Sequence, residues 1–122
     1  MKILIIDDDK IILDEFCEIL ENRYKNYEII KVYERSAGIN KIIEDKPDII
    51  ICDVMMPGID GYVILKTIKA NPLTKYIPFI LFSVKAEPED VQVGLNLGAD
   101  DYIKKPPDVG NAFTILDKYL KP

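Results

Sequence analysis

The side chains best suited to chemistry in this chain are carboxylates, and they are grouped. Asp7, Asp8 and Asp9 follow the apolar run "ILII", and Asp53 follows a second such run, "DIIIC". Ser83 closes "PFILF", and Lys104 and Lys105 come directly after "DYI". Two carboxylates held about 5 Å apart repel by roughly 3 kcal/mol at an effective dielectric of 20, and a third adds to that. Such a cluster persists by taking up a proton or by binding a cation. With oxygen ligands alone the suited cation is Mg²⁺, which keeps several waters and needs few protein carboxylates. A hydroxyl and an ammonium opposite the metal suit a phosphoryl group shared with it. These residue types point to Mg²⁺-dependent phosphoryl chemistry with an aspartate at its centre.

Asp53 is the candidate nucleophile. It ends a run apolar enough for a buried central strand, and "VMMPGIDG" follows it. Pro57, Gly58 and Gly61 make a turn whose backbone can fold over the site. A carboxylate that attacks phosphorus forms an acyl phosphate, an established covalent strategy. The chain has no histidine, which excludes Ser–His and Cys–His nucleophilic systems and histidine-ligated metals.

For these residues to meet, a fold must bring the ends of several apolar runs together. The runs at 2–6, 28–33, 48–52, 78–82 and 101–103 predict five strands, with little alternation in the second to fourth. Helices are predicted over 10–23, 36–45, 61–70, 88–97 and 109–120. Ile12, Phe16, Ile19 and Leu20 are expected inward on the first. Ser36 and Asp60 are the expected N-caps of the second and third. The last is expected to bury Val109, Ala112, Phe113, Leu116 and Leu120. Alternating strands and helices imply one α/β domain over 1–122, a doubly wound parallel sheet covered on both faces. Ligands of such sheets bind beyond the carboxyl ends of the strands. The aspartates, Ser83 and the lysines should therefore share one edge. Strand two ends less distinctively, in Glu34 and Arg35.

Composition narrows the setting. A hydrophobic content of 48% with 30% charged residues is that of a soluble globular protein. The formal net charge of −5 argues against direct nucleic-acid or anionic-membrane partners. Cys17 and Cys52 lie in apolar runs without metal-ligand spacing, which fits a reduced, cytoplasmic environment. The first strand begins at Lys2, leaving no expected signal peptide, and no run is long enough to span a bilayer.

The acidic run, "DVMMPGIDG", "FS" and "GADDYIKKP", at their spacing, resemble the receiver domain of two-component response regulators over essentially the whole chain. The resemblance implies a flavodoxin-like (βα)5 fold with strand order 2-1-3-4-5. It implies that Asp53 accepts a phosphoryl group from a phosphohistidine on a histidine kinase or phosphotransfer protein. Asp7, Asp8, Asp53 and the carbonyl of Met55 would hold Mg²⁺. Ser83 and Lys105 would contact the phosphoryl group, the Lys105–Pro106 bond would be cis, and Tyr102 would be the switch aromatic. It implies a signalling domain, not an enzyme, that assists only its own phosphorylation and dephosphorylation and switches its α4–β5–α5 face toward a downstream target that the sequence does not specify. Asp9, three residues ahead of Ile12, is then expected as the N-cap of the first helix, the alternative being a register shifted by one that gives Asp8 and Asp9 the metal. Val84 and Pro107 depart from the family pattern, where a small residue and Phe are usual. Met55 and Lys85 occupy variable positions that tune dephosphorylation, so Lys85 is expected to set the lifetime of the acyl phosphate.

Other readings use the same residues differently. An Asp-nucleophile phosphatase resembling the haloacid dehalogenases would use Asp7, Asp9, Ser83, Lys105 and the Asp100–Asp101 pair. In that family, however, the lysine precedes the second acidic pair, and here it follows. A phosphate-independent receiver-like binding module would leave the acids without a task. A flavin domain would need a Ser/Thr/Gly-rich loop after strand one. Finally, residues 88–97 carry two apolar stripes, Val91/Leu95 and Val93/Leu97. One should face the sheet and leave the other, with Ile115 and Tyr119, as a candidate partner or homodimer surface, local packing being the equal alternative.

Overall fold

The computed structural model, which describes residues 1–54 and 61–122, turns the five apolar runs into five strands. These are β1 (Lys2–Ile6), β2 (Glu28–Val32), β3 (Ile49–Asp53), β4 (Phe79–Ser83) and β5 (Asp101–Lys104). They alternate with α1 (Lys10–Arg23), α2 (Gly38–Asp45), α3 (Gly61–Ala70), α4 (Pro88–Asn96) and α5 (Val109–Leu116). All strand pairs are parallel, in the order β2-β1-β3-β4-β5. This is the flavodoxin-like, doubly wound sheet expected from the sequence. The order switches between β1 and β3, so Asp7 and Asp53 flank the crevice that such sheets use for ligands.

Period-two alternation divides the strand side chains between two cores. Ile3, Ile5, Ile49, Ile51, Ile80 and Phe82 pack with α1 and α5. Leu4, Ile6, Ile50, Cys52, Phe79 and Leu81 pack with residues of α2 and α3 on the other face. Every residue of β3 and β4 is buried, as strands covered on both sides must be. Phe82 stacks on Phe16 of α1 with ring centroids 4.9 Å apart. Among the described residues no helix is long and apolar enough to cross a membrane.

Several local expectations shift, each for a packing reason. The buried face of α1 is Leu13, Phe16, Cys17 and Leu20. Ile12 and Ile19 sit half-buried at its margin, where they border a groove with Pro106 and Pro107. Ser36 does not cap α2. Arg35–Ala37 forms a 3₁₀ turn, Ala37 precedes the helix, and Arg35 is buried while Ser36 is exposed. The last helix stops at Leu116 instead of 120, where Lys118 N and Tyr119 N turn to the carbonyls three residues back, Ile115 at 3.2 Å and Leu116 at 2.9 Å. Its C-cap, Asp117, is tied to the end of α1. Its Oδ1 accepts from Arg23 Nε at 3.1 Å and from the Tyr24 hydroxyl at 2.6 Å. Leu120 is still buried, but Val109 is exposed.

Neither predicted stripe of α4 faces the sheet as a unit. Val91, Gly94 and Leu97 turn inward, leaving Val93 and Leu95 exposed. Gly94 permits this approach, since a Cβ there would lie 2.4 Å from Leu81 Cδ1 and 3.3 Å from Tyr102 Cε2. At the start of α3, Gly61 N donates to the Val54 carbonyl at 3.1 Å. A Cβ on Gly61 would lie 2.2 Å from the Asp53 carbonyl oxygen, so only glycine lets the chain return this close to the end of β3. Asp60, the expected cap of α3, lies outside the described residues.

Candidate functional site

Asp7 leaves β1 fully buried, with its N–H donating to the Val32 carbonyl at 3.0 Å. Its Oδ1 accepts from Asp9 N at 2.9 Å. Its Oδ2 lies 2.5 Å from Lys105 Nζ, yet has no well-formed hydrogen bond among the described residues. Asp53, the last residue of β3, is 3% exposed, and its Oδ2 is 3.0 Å from the same ammonium. Asp8 is 42% exposed. One oxygen from each of Asp7, Asp8 and Asp53 lies within 4.8 Å of the others. Asp9 is not in that group; its Oδ1 accepts from Ile12 N at 3.2 Å and caps α1.

Lys105 reaches the acids because β5 carries it alongside β4. Its N–H donates to the Ser83 carbonyl at 2.8 Å, and the Lys105–Pro106 bond is cis, as expected. Lys104, one residue earlier, points to the exposed side of the strand. Burial raises the pKa of Asp7 to about 6, an effect the neighbouring ammonium and the Asp9 N–H only partly offset and the Asp53 charge reinforces. Burial works against the Lys105 charge, but the paired carboxylates of Asp7 and Asp53 outweigh it and raise its pKa.

A cleft of about 190 Å³ opens above these groups, lined by Asp8, Asp9, Ile12, Asp53, Val84 and Lys105. Val84 stands 61% exposed on its rim. The volume exceeds by many times what one water needs, leaving room for a phosphoryl group and a hydrated cation. The donor set fits Mg²⁺: three carboxylates, no sulfur or imidazole, and a buried Asp7 oxygen lacking a hydrogen bond.

Ser83 is fully buried at the end of β4 and accepts from Lys85 N at 3.1 Å through its hydroxyl oxygen. Tyr102 is 7% exposed, and its hydroxyl donates to the Lys85 carbonyl. Burial raises the Tyr102 pKa, with a hydrogen bond to Ser83 opposing. Ser83, Lys85 and Tyr102 therefore form one linked set beside the acids. Met55 lies outside the described residues, as does the Pro57–Gly58 turn. Arg35, noted at the less distinctive end of strand two and given no role there, is 7% exposed with its Nη2 3.7 Å from Asp8 Oδ2. Its position just after β2 was the available signal, the same strand-end rule that picked out the others.

The strand order and the acidic crevice at its switch point define the chain first as a flavodoxin-like α/β domain with an acidic strand-end site. The family model for the response regulator receiver domain matches residues 3–117, and the chain belongs to that family. It is thus a receiver domain of two-component signalling. It is 38% identical over 108 residues to the response regulator ArlR of Staphylococcus saprophyticus, covering 88% of this chain and 47% of that protein. It is 33% identical over 105 residues to the phosphate regulon transcriptional regulatory protein PhoB of Escherichia coli strain K12, covering 86% of this chain and 45% of that protein. The chain spans less than half the length of these curated relatives. Its backbone superposes on the signal receiver domain of a DNA-binding response regulator from Colwellia psychrerythraea with a TM-score of 0.90. Identity there is 30%, covering 97% of this chain and 96% of that one.

Proposed function

We propose that this domain accepts a phosphoryl group on Asp53 from a phosphohistidine of a histidine kinase or phosphotransfer protein in the cytoplasm. The observation that carries the reading is Asp53 itself, a carboxylate 3% exposed at a strand end, facing a cleft and a lysine 3.0 Å away. An Asp53 carboxylate oxygen attacks phosphorus, a P–O bond forms, the P–N bond breaks, and the electron pair returns to the imidazole nitrogen of the donor. Asp7, Asp8 and Asp53, with the Met55 carbonyl, would hold Mg²⁺, which when bound neutralises charge on the transferring oxygens. Lys105 shifts from Asp53 toward the new phosphoryl oxygens, and the Ser83 hydroxyl donates to one of them. Ser83 leaving Lys85 N frees the Lys85–Tyr102 pair to rearrange, carrying the change to the α4–β5–α5 face. That face, with Val93 and Leu95 exposed on α4, would meet the downstream target or a second copy. The domain would work as a phospho-acceptor and not as a turnover enzyme.

Incubation with a small phosphodonor and Mg²⁺, read by intact mass, tests this. One Mg²⁺-dependent phosphoryl adduct per chain is expected, and none with Asp53→Asn. An adduct that survives Asp53→Asn would refute the assignment. Sustained hydrolysis of a phosphomonoester would support an Asp-nucleophile phosphatase instead.

A further inference from the structure

We propose that Arg35 sets how tightly the site holds its divalent cation, by competing with that cation for Asp8. The inference rests on the reading of the site as a Mg²⁺ site and adds a residue to it. The guanidinium enters from the end of β2, opposite Lys105. Lys105 spans Asp7 and Asp53, while Arg35 Nη2 is 3.7 Å from Asp8 Oδ2. Two permanent cations thus face three carboxylates, one on each flank.

The pairing is positioned but not clamped. A distance of 3.7 Å is within ion-pair range and beyond a hydrogen bond. Asp8, 42% exposed, can swing toward an incoming cation, whereas Arg35, 7% exposed, is held by its surroundings. Its backbone is fixed too: the Arg35 carbonyl accepts from Gly38 N, and the Glu34 carbonyl accepts from Ala37 N at 3.1 Å. Arginine keeps its charge at any working pH. A cation entering between the acids must therefore take Asp8 from Arg35 and remain close to a second positive charge. Arg35 stabilises the acidic cluster when no metal is bound and weakens metal binding, so that occupancy follows the free Mg²⁺ concentration.

Calorimetric Mg²⁺ titration of the whole chain compares wild type with Arg35→Gln, Arg35→Met and Arg35→Lys. Each is first checked for folding by circular dichroism in chelator. Both neutral variants are expected to bind Mg²⁺ more tightly by about three- to fivefold, the range of a partly exposed ion pair. Arg35→Lys should stay within roughly twofold of wild type because it keeps the charge. Arg35→Met preserves much of the apolar stem and carries the same expectation should Arg35→Gln fail to fold. Equal or weaker binding by a folded neutral variant overturns the proposal while leaving the Mg²⁺ site intact. Absence of Mg²⁺ binding by the wild type overturns the reading on which both rest.

Discussion

At Asp7 the two oxygens of one carboxylate have different environments. Oδ1 is held by the Asp9 N–H, and Oδ2 lies beside the Lys105 ammonium without a well-formed hydrogen bond among the described residues. Burial pushes this group to about 6 from an ordinary 3.8. Between those values the folded protein binds more protons than the unfolded one. The contribution of Asp7 to stability is therefore fully present below about pH 3.8, declines as pH rises toward 6, and changes no further above it. Asp7→Asn removes that slope. In urea unfolding with chelator present, the variant should gain on wild type between about pH 4 and about pH 6, and the difference should then level off. A parallel pH profile for the two proteins would assign the titration to another group. The acidic run itself was readable as chemistry. Its division into a cap and two acids near Asp53 rested on the resemblance and on the spacing of Asp9 to Ile12, because three consecutive aspartates look alike until the backbone leaves the strand and aims each one separately.

Elements position the site through their ends. β3 delivers Asp53, and α3 begins so close behind it that Gly61 packs onto the Asp53 carbonyl. Gly61→Ala places a methyl carbon where backbone stands, and backbone cannot rotate away as a side chain can. We expect a loss of about 1–3 kcal/mol in unfolding free energy, together with weaker Mg²⁺ binding as Asp53 is displaced. A variant as stable as wild type, with unchanged Mg²⁺ affinity, would show that the turn relaxes freely. Strand and helix existence followed from apolar periodicity, and α1 and α3 keep their predicted limits. The limits shifted at the start of α2 and the end of α5. Arg35, drawn in beside Asp8, starts the turn one residue ahead of Ser36. α5 ends early where its backbone tightens to i−3 bonds at Lys118 and Tyr119, beside the contact of Asp117 with Arg23 and Tyr24.

At the scale of the whole molecule, the site and the proposed output face are joined through Ser83, Lys85 and Tyr102. Tyr102 also packs in the core on the α4 side of the sheet, against Gly94. On the proposed reading, a change at Ser83 would reach α4 through these contacts. Val93→Glu adds a charge to the exposed part of α4 and touches none of the acids. It should leave Asp53 phosphorylation unchanged while weakening association of the phosphorylated chain with itself or its target. Sedimentation of phosphorylated wild type and variant reads the first case, and capture of a purified target the second. Identical behaviour in both would remove α4 from the output face.

The sequence by itself determined the sheet, its topology class and the residue types at its carboxyl edge. Apolar runs of strand length can be buried only by stacking, and strand ends must then lie together. Tertiary structure supplied the physical reason that Lys105 and not Lys104 reaches the acids: successive residues at the end of β5 point to opposite sides, and one side faces the crevice. It also decided that Arg35 stands beside Asp8. β2 and β1 are neighbours in the sheet but far apart in the chain, and charge acts through space.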